Sequence, residues 1–152
     1  MDVLTPTDSD GSVTQAGPYF RSRKAAPGDG LLGGTSAGYW VQLQSNGMIR
    51  VRRLNPLAVV AFSPAIPEFD AGIFHSLTTE ARGNAMRVWL DGKPVQFEQG
   101  SRHVDRVEIL AAWETPRVGD NQGAAGVAFG AEGNRGKIGG QRVKNLSVVS
   151  LR

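Results

Sequence analysis

The chain has 152 residues, a formal net charge of +3, 40% hydrophobic and 20% charged residues, and no cysteine. That length fits a single domain over 1–152, able to bury roughly 70% of its unfolded surface without staples, and the lack of cysteine excludes disulfides, thiolate nucleophiles and cysteine-based zinc sites. No stretch approaches the ~18 apolar residues that span a bilayer, and the small excess of arginine and lysine has no nucleic-acid module beside it, so neither a membrane nor a nucleic acid is an expected partner.

Met1-Asp2-Val3 has no basic n-region or apolar h-region, so no signal peptide is expected. The chain is then cytoplasmic, or extracellular or periplasmic if it is the trimmed part of a longer one. Its 20 glycines and 8 prolines are spread along the sequence, which predicts many turns, few long helices and an all-β fold.

In chain order, Asp2 to Thr7 reads as the end of a strand, and Thr7-Asp8-Ser9-Asp10-Gly11-Ser12 as a turn. Strand character resumes over Gly17 to Arg23, and Lys24 to Ala37 is a glycine-rich loop. Next comes the strongest local signal. Tyr39, Val41 and Leu43 alternate with Trp40, Gln42 and Gln44; after Asn46-Gly47, Ile49 and Val51 alternate with Arg50 and Arg52. Period-two alternation around Asn-Gly predicts a hairpin with a type I′ turn. Leu57 to Phe62 is a continuous apolar run, expected as a strand covered on both faces. Phe74 to Arg82 and Ala85 to Asp91 alternate around Gly83-Asn84, with Met86, Val88 and Leu90 inward, and Asp91-Gly92 is a second hairpin signal. Gln99 to Asp120 fits strand or helical turns. Ala124 to Gly130 is a small-residue strand. Gln141 to Leu151 is the closing strand, with a bulge expected near Asn145. Nine or ten short strands at this spacing predict a sandwich.

Several of these segments resemble a known family in order and spacing. Ala16-Gly17-Pro18-Tyr19-Phe20-Arg21 followed by Gly38-Tyr39-Trp40-Val41-Gln42-Leu43 is similar to a strand pair of the 3-keto-disaccharide hydrolase family (domain of unknown function 1080). The hairpin from Phe74 to Gly92 resembles one shared with laminin-G-like modules and levan-type carbohydrate-binding modules of bacteria. Gly126-Val127-Ala128-Phe129 and Val143 to Val148 resemble their final strands. The resemblance covers most of 16–151. It implies a concanavalin A-like, lectin-like jelly-roll β-sandwich of two antiparallel sheets, short of the N-terminal strands those families carry. It says more about fold than function, because the fold hosts binders, hydrolases and scaffolds. Trp40 stands where the hydrolase-like pattern has an acid, while Arg21 and Gln42 are retained.

The candidate ligand-binding residues are Arg21, Trp40, Gln42, Arg50 and Arg52, with Trp89 added. Facing a concave groove, an aromatic would stack on a sugar's C–H face, while planar amide and guanidinium groups would bond its hydroxyls. A glycosidase needs two carboxylates roughly 5–9.5 Å apart. Glu80 with Asp91, and Glu68 with Asp70, are the nearest pairs, but Asp91 is explained by its turn and the second pair by a loop, so no catalytic residue is assigned. His75 falls on an inward phase and reads as a satisfied core histidine; His103 is far from it in sequence. Gly28-Asp29-Gly30-Leu31-Leu32-Gly33 matches a dinucleotide motif literally but lacks the strand before and the helix after it. No cofactor is expected beyond a structural calcium, for which Asp8-Ser9-Asp10-Gly11 and Asp120 to Gly123 are the candidates.

Three functions remain in play. The leading one is a non-catalytic module binding an oligo- or polysaccharide. The others are a glycoside hydrolase resembling the 3-keto-disaccharide hydrolases, and a structural protein forming homo-oligomers through exposed sheet edges.

Overall fold

The computed structural model describes residues 1–22, 38–54, 57–109, 124–132 and 140–149. The loop expected over Lys24 to Ala37, the undecided stretch from Leu110 onward and the Asp120 to Gly123 turn lie outside the described residues. Thirteen strands are described: β1 (Asp2–Leu4), β2 (Val13–Ser22), β3 (Tyr39–Gln44), β4 (Ile49–Leu54), β5 (Leu57–Phe62), β6 (His75–Arg82), β7 (Ala85–Leu90), β8 (Lys93–Pro94), β9 (Phe97–Gln99), β10 (Arg102–Val104), β11 (Val107–Glu108), β12 (Ala124–Glu132) and β13 (Arg142–Lys144). No helix occurs among the described residues.

The strands form two antiparallel sheets, as the all-β sandwich reading expects. One has the order β10-β9-β5-β4-β3-β2-β12; the other runs β11-β7-β6-β1-β13, with β8 beside β7. Alternation within each strand sends one set of side chains between the sheets. Ala16, Tyr39, Val41, Leu43, Ile49, Val51 and Phe97 meet Val3, Leu77, Met86, Val88 and Leu90 there, all buried. At about 1.5–3 kcal/mol for each large aliphatic side chain buried, this layer is the main source of stability. At one end the sheets are linked by a side chain acting as a strand. Gln99 on β9 donates from Nε2 to the Glu108 carbonyl of β11 and accepts from the Glu108 N–H, both at 2.8 Å.

Several expectations are revised. The β3–β4 turn is not type I′, because Asn46 does not have positive φ and only Gly47 does (79°). Gly47 N–H donates to Gln44 O, and Gln44 N–H donates to Met48 O. This is a three-residue connection with a glycine bulge. The type I′ pattern falls at Asp91-Gly92 instead, with φ of 50° and 76°. β5 is not covered on both faces. Val59 pairs with Arg52 and Ala61 with Val51, which leaves Val60 as a bulge residue, and Val59 and Phe62 face outward at 47% and 39% exposure. The closing strand spans only Arg142–Lys144. Asn145 takes a left-handed φ of 54° and donates from Nδ2 to Asp2 Oδ2 at 2.7 Å. The chain leaves the sheet there, and Leu146, Val148 and Val149 are exposed.

β2 carries a proline between two neighbours, where a central strand rarely tolerates one. Its pairing with β3 therefore runs Gln15↔Gln44 and Ala16↔Leu43, then resumes at Tyr19↔Trp40. In the gap, Gly17 lies so close to β3 that a Cβ there would overlap the Val41 carbonyl oxygen. Gly17→Ala should cost about 1–3 kcal/mol by overpacking, read as a fall in Tm of about 2–4 °C per kcal/mol for a domain of this size. An unchanged Tm would show that the strands do not approach so closely.

Candidate functional site

The register of the seven-stranded sheet assembles its outer face in rows. One row runs Glu98 (β9), Phe62 (β5), Arg50 (β4), Gln42 (β3). The next runs Val59, Arg52, Trp40, Tyr19, Gly126 from β5 to β12. A third joins Gln44, Gln15 and Gly130. The hairpin residues Trp40, Gln42, Arg50 and Arg52 thus share one face, as the alternation predicts. Glycines on the edge strand β12 make room for what lies on it. A Cβ at Gly126 would be 2.6 Å from the Tyr19 hydroxyl oxygen, and one at Gly130 would be 2.9 Å from Gln15 Nε2 and 3.0 Å from Trp40 Cη2. Tyr19 therefore leans over Gly126, and the Trp40 ring reaches across β2 toward Gly130.

The face is not the open groove expected. Its centre is closed, with Trp40 at 1% and Gln42 at 0% exposure. A buried polar atom is ordinarily hydrogen-bonded, and leaving one unmet costs about 1–3 kcal/mol. Here Trp40 Nε1, both amide atoms of Gln42 and Gln44 Oε1 are buried without a partner. Beside them, Gln44 Nε2 donates to Gln15 Oε1 at 3.2 Å. Two donors and two acceptors are left concentrated on alternate positions of one strand. Arg50 and Arg52 flank them, half-buried and each with an interaction within the chain, although Arg52 Nε itself makes no hydrogen bond.

Two of the proposed residues lie elsewhere. Arg21, at the left-handed end of β2 (φ 52°), donates from a terminal nitrogen to the Gly83 carbonyl at 2.6 Å, bridging to the β6–β7 turn of the other sheet. Burial pushes its guanidinium pKa down. Trp89 sits on β7, in the six-stranded sheet, and the structure does not bring it to the Trp40 face. Conversely, Gln15, Tyr19, Phe62 and Glu98 join the face without having been singled out. Only the strand registers place them there, and nothing in the sequence states a register between strands so far apart.

The acids do not converge. Glu80 lies opposite Arg87, whereas Asp91 bonds the Ser76 N–H. The Asp91 carboxylate is thus tied to the backbone four residues along β6 from Glu80, roughly 13 Å at about 3.3 Å per residue, a wider strand separation than the glycosidase spacing. Glu68 and Asp70 lie in the loop before β6, where Glu68 has φ 61°. His75 is buried and satisfied, as its inward phase predicts. Nδ1 is 2.7 Å from Asp91 Oδ2, Nε2 is 2.8 Å from the Asp70 carbonyl oxygen, and Phe69 stacks on the ring at 4.4 Å. Both partners are acceptors, so making both bonds requires both ring nitrogens to be protonated. At the calcium candidate, Asp8 and Asp10 accept from the Ser9 and Ser12 N–H groups of their own turn. Among the described residues no group of three or more His, Asp or Glu is placed to hold a metal, and no helix is long and apolar enough to cross a membrane.

No family model matches the sequence, and no curated protein matches it. Among solved structures the chain is similar to the carbohydrate-binding module CBM66 from Bacillus subtilis, at 18% identity over 72% of this chain and 69% of that one, with a TM-score of 0.46.

Asp91 allows a test of its structural role. Burial pushes its carboxyl up, but the hydrogen bonds from His75 and the Ser76 N–H, with the charges of His75 and Lys93, outweigh this and hold it below its ordinary value of 3.8. Its contribution is therefore present above that value and lost as pH falls through the lower folded-state pKa. Asp91→Asn should cost about 1 kcal/mol at neutral pH, the low end for a bond to a half-exposed charge. In urea titrations across pH the gap to the native chain should close below about pH 4. A gap independent of pH would remove the ion from the account.

Proposed function

We propose that this chain is a non-catalytic carbohydrate-binding module of the lectin-like sandwich type, holding a glycan on the outer face of its seven-stranded sheet. The observation that carries the reading is the group of unmet polar atoms on Trp40, Gln42 and Gln44. A sugar hydroxyl both donates and accepts, so a few hydroxyls satisfy a mixed set of this kind. The site consists of Gln42 and Gln44 at its centre, Trp40 as an indole donor, and Arg50 and Arg52 at its flank; because Trp40, Gln42 and Gln44 are closed off from solvent, binding requires side chains of this face to move aside. Arg21 and Trp89 are left out, because one is spent on a turn and the other belongs to the opposite sheet. The strand motifs resembling the 3-keto-disaccharide hydrolases and laminin-G-like modules fit this reading. Hydrolysis is not favoured, since Glu80 and Asp91 stand too far apart and Asp91 is occupied.

The reading couples binding to instability. Gln42→Met keeps the volume close and removes two buried, unmet polar atoms. It should raise stability by about 1 kcal/mol or more and weaken any glycan binding by about tenfold or more, an amide bond being worth that much. Thermal unfolding and affinity electrophoresis on polysaccharide gels read the two effects. A variant that binds as the native chain does would sink the assignment of Gln42.

A further inference from the structure

We infer that two copies of this chain associate through the outer edge of β12, antiparallel about a two-fold axis at Ala128, joining their seven-stranded sheets into one. Exposed sheet edges are ordinarily blunted by shortness, charge or proline, because unpaired N–H and C=O groups recruit another strand. The other edges among the described residues are blunted in this way. β10 has three residues and carries Arg102, β8 has two and ends on Pro94, β11 has two and ends on Glu108, and β13 has three, among them Arg142 and Lys144. β12 differs. It runs nine residues, Ala124–Glu132, with no proline and no charged residue before Glu132. Among the described residues it pairs with β2 alone.

The ladder sets which groups that edge presents. Thr14 spends its N–H on Ser45 Oγ and its carbonyl on the Ser45 N–H, so its backbone faces β3. Gln15, one step on, faces β12 and stands opposite Gly130. Bonding groups alternate sides along an antiparallel strand, so Phe129 and Val127 turn their N–H and C=O groups to the outer edge. A two-fold axis at Ala128, the midpoint of β12, sets Val127 opposite Phe129 of the second copy and Phe129 opposite its Val127. Both are then hydrogen-bonded pairs, each exchanging two N–H···O bonds. The strand matches itself about that point. Gly126 meets Gly130 and Ala128 meets Ala128, while each Phe129 side chain, on a residue 40% exposed in the single chain, gains a cross-strand valine. Aromatic and β-branched residues are favourable cross-strand partners. This self-match selects a second copy as the partner, since a two-fold interface needs one surface complementary to itself. The inference does not depend on what the outer face binds.

The test is sedimentation velocity of the full chain across a concentration series, with Ala128→Lys and Ala128→Glu checked for folding by circular dichroism. The native chain should approach twice its own mass as concentration rises. Each variant alone puts like charges directly opposite at the axis and should weaken the dimer about tenfold or more. An equimolar mixture of the two should restore it, because opposite charges then meet there. A native chain that stays monomeric to about 1 mM overturns the inference, whatever the variants do, and leaves the edge to an extended segment of another protein. Variants that dimerise as the native chain does place the contact elsewhere and overturn it, as does a mixture of folded variants that stays monomeric. Where a charged variant fails to fold, Phe129→Ala replaces it and should weaken the dimer about tenfold, an undiminished dimer overturning the inference.

Discussion

Strand β3 is buried on both faces, and the rest of the structure is arranged around that fact. On one side Tyr39, Val41 and Leu43 fill the space between the sheets; on the other, Trp40, Gln42 and Gln44 are equally withdrawn from water. A slip of one residue would exchange the two sets and drive amides into the inter-sheet layer. Register is therefore held from both sides. The Gly47 bulge fixes β4, and the close approach of Gly17 fixes β2. The apolar set drives association of the sheets. The polar set opposes it, since each unmet atom subtracts about 1–3 kcal/mol. Such a cost persists only in a fold whose other layer is strong enough to hold it.

The two sheets divide their chemistry. On the six-stranded sheet His75 bonds both Asp91 and the Asp70 carbonyl and so pins the loop before β6, while Thr79 Oγ1 on the same strand is buried without a partner. That loop in turn leans on the β3–β4 turn, where Ile66 N–H donates to Gly47 O and Phe69 packs over Gly47. The seven-stranded sheet leaves its central polar groups unsatisfied. Charge and hydrogen bonding pin a loop against the first sheet, and in the second a cluster of polar atoms is buried without partners.

Alternation made the strands legible. It marks β3, β4, β6 and β7, where polar and apolar residues differ sharply at each step. It failed for β5, because Leu57 to Phe62 is apolar throughout and a bulge at Val60 decides which members face out. It failed at the chain's closing segment, because Val148 and Leu146 look like strand residues, while Asn145 in a left-handed conformation turns the backbone out of the sheet. Asn46-Gly47 announced a hairpin but not its turn type, which depends on one backbone angle. For the candidate site, composition identified one strand pair. Tyr19, Gln15, Phe62 and Glu98 join it only through registers with β2, β5 and β9, and Trp89 lies on the other sheet, because outward phase says nothing about which sheet is meant.

The glycines of β12 extend this to the chain's history. Gly126 and Gly130 are small because Tyr19, Gln15 and Trp40 occupy the volume their side chains would need. Position 126 with 19, and position 130 with 15 and 40, are therefore units of conserved volume across the β2–β12 ladder. In any set of related sequences these positions should drift together, a larger residue on the edge strand answered by a smaller one on its neighbour. Covariation at those pairs would report the packing of this face independently of whatever it binds.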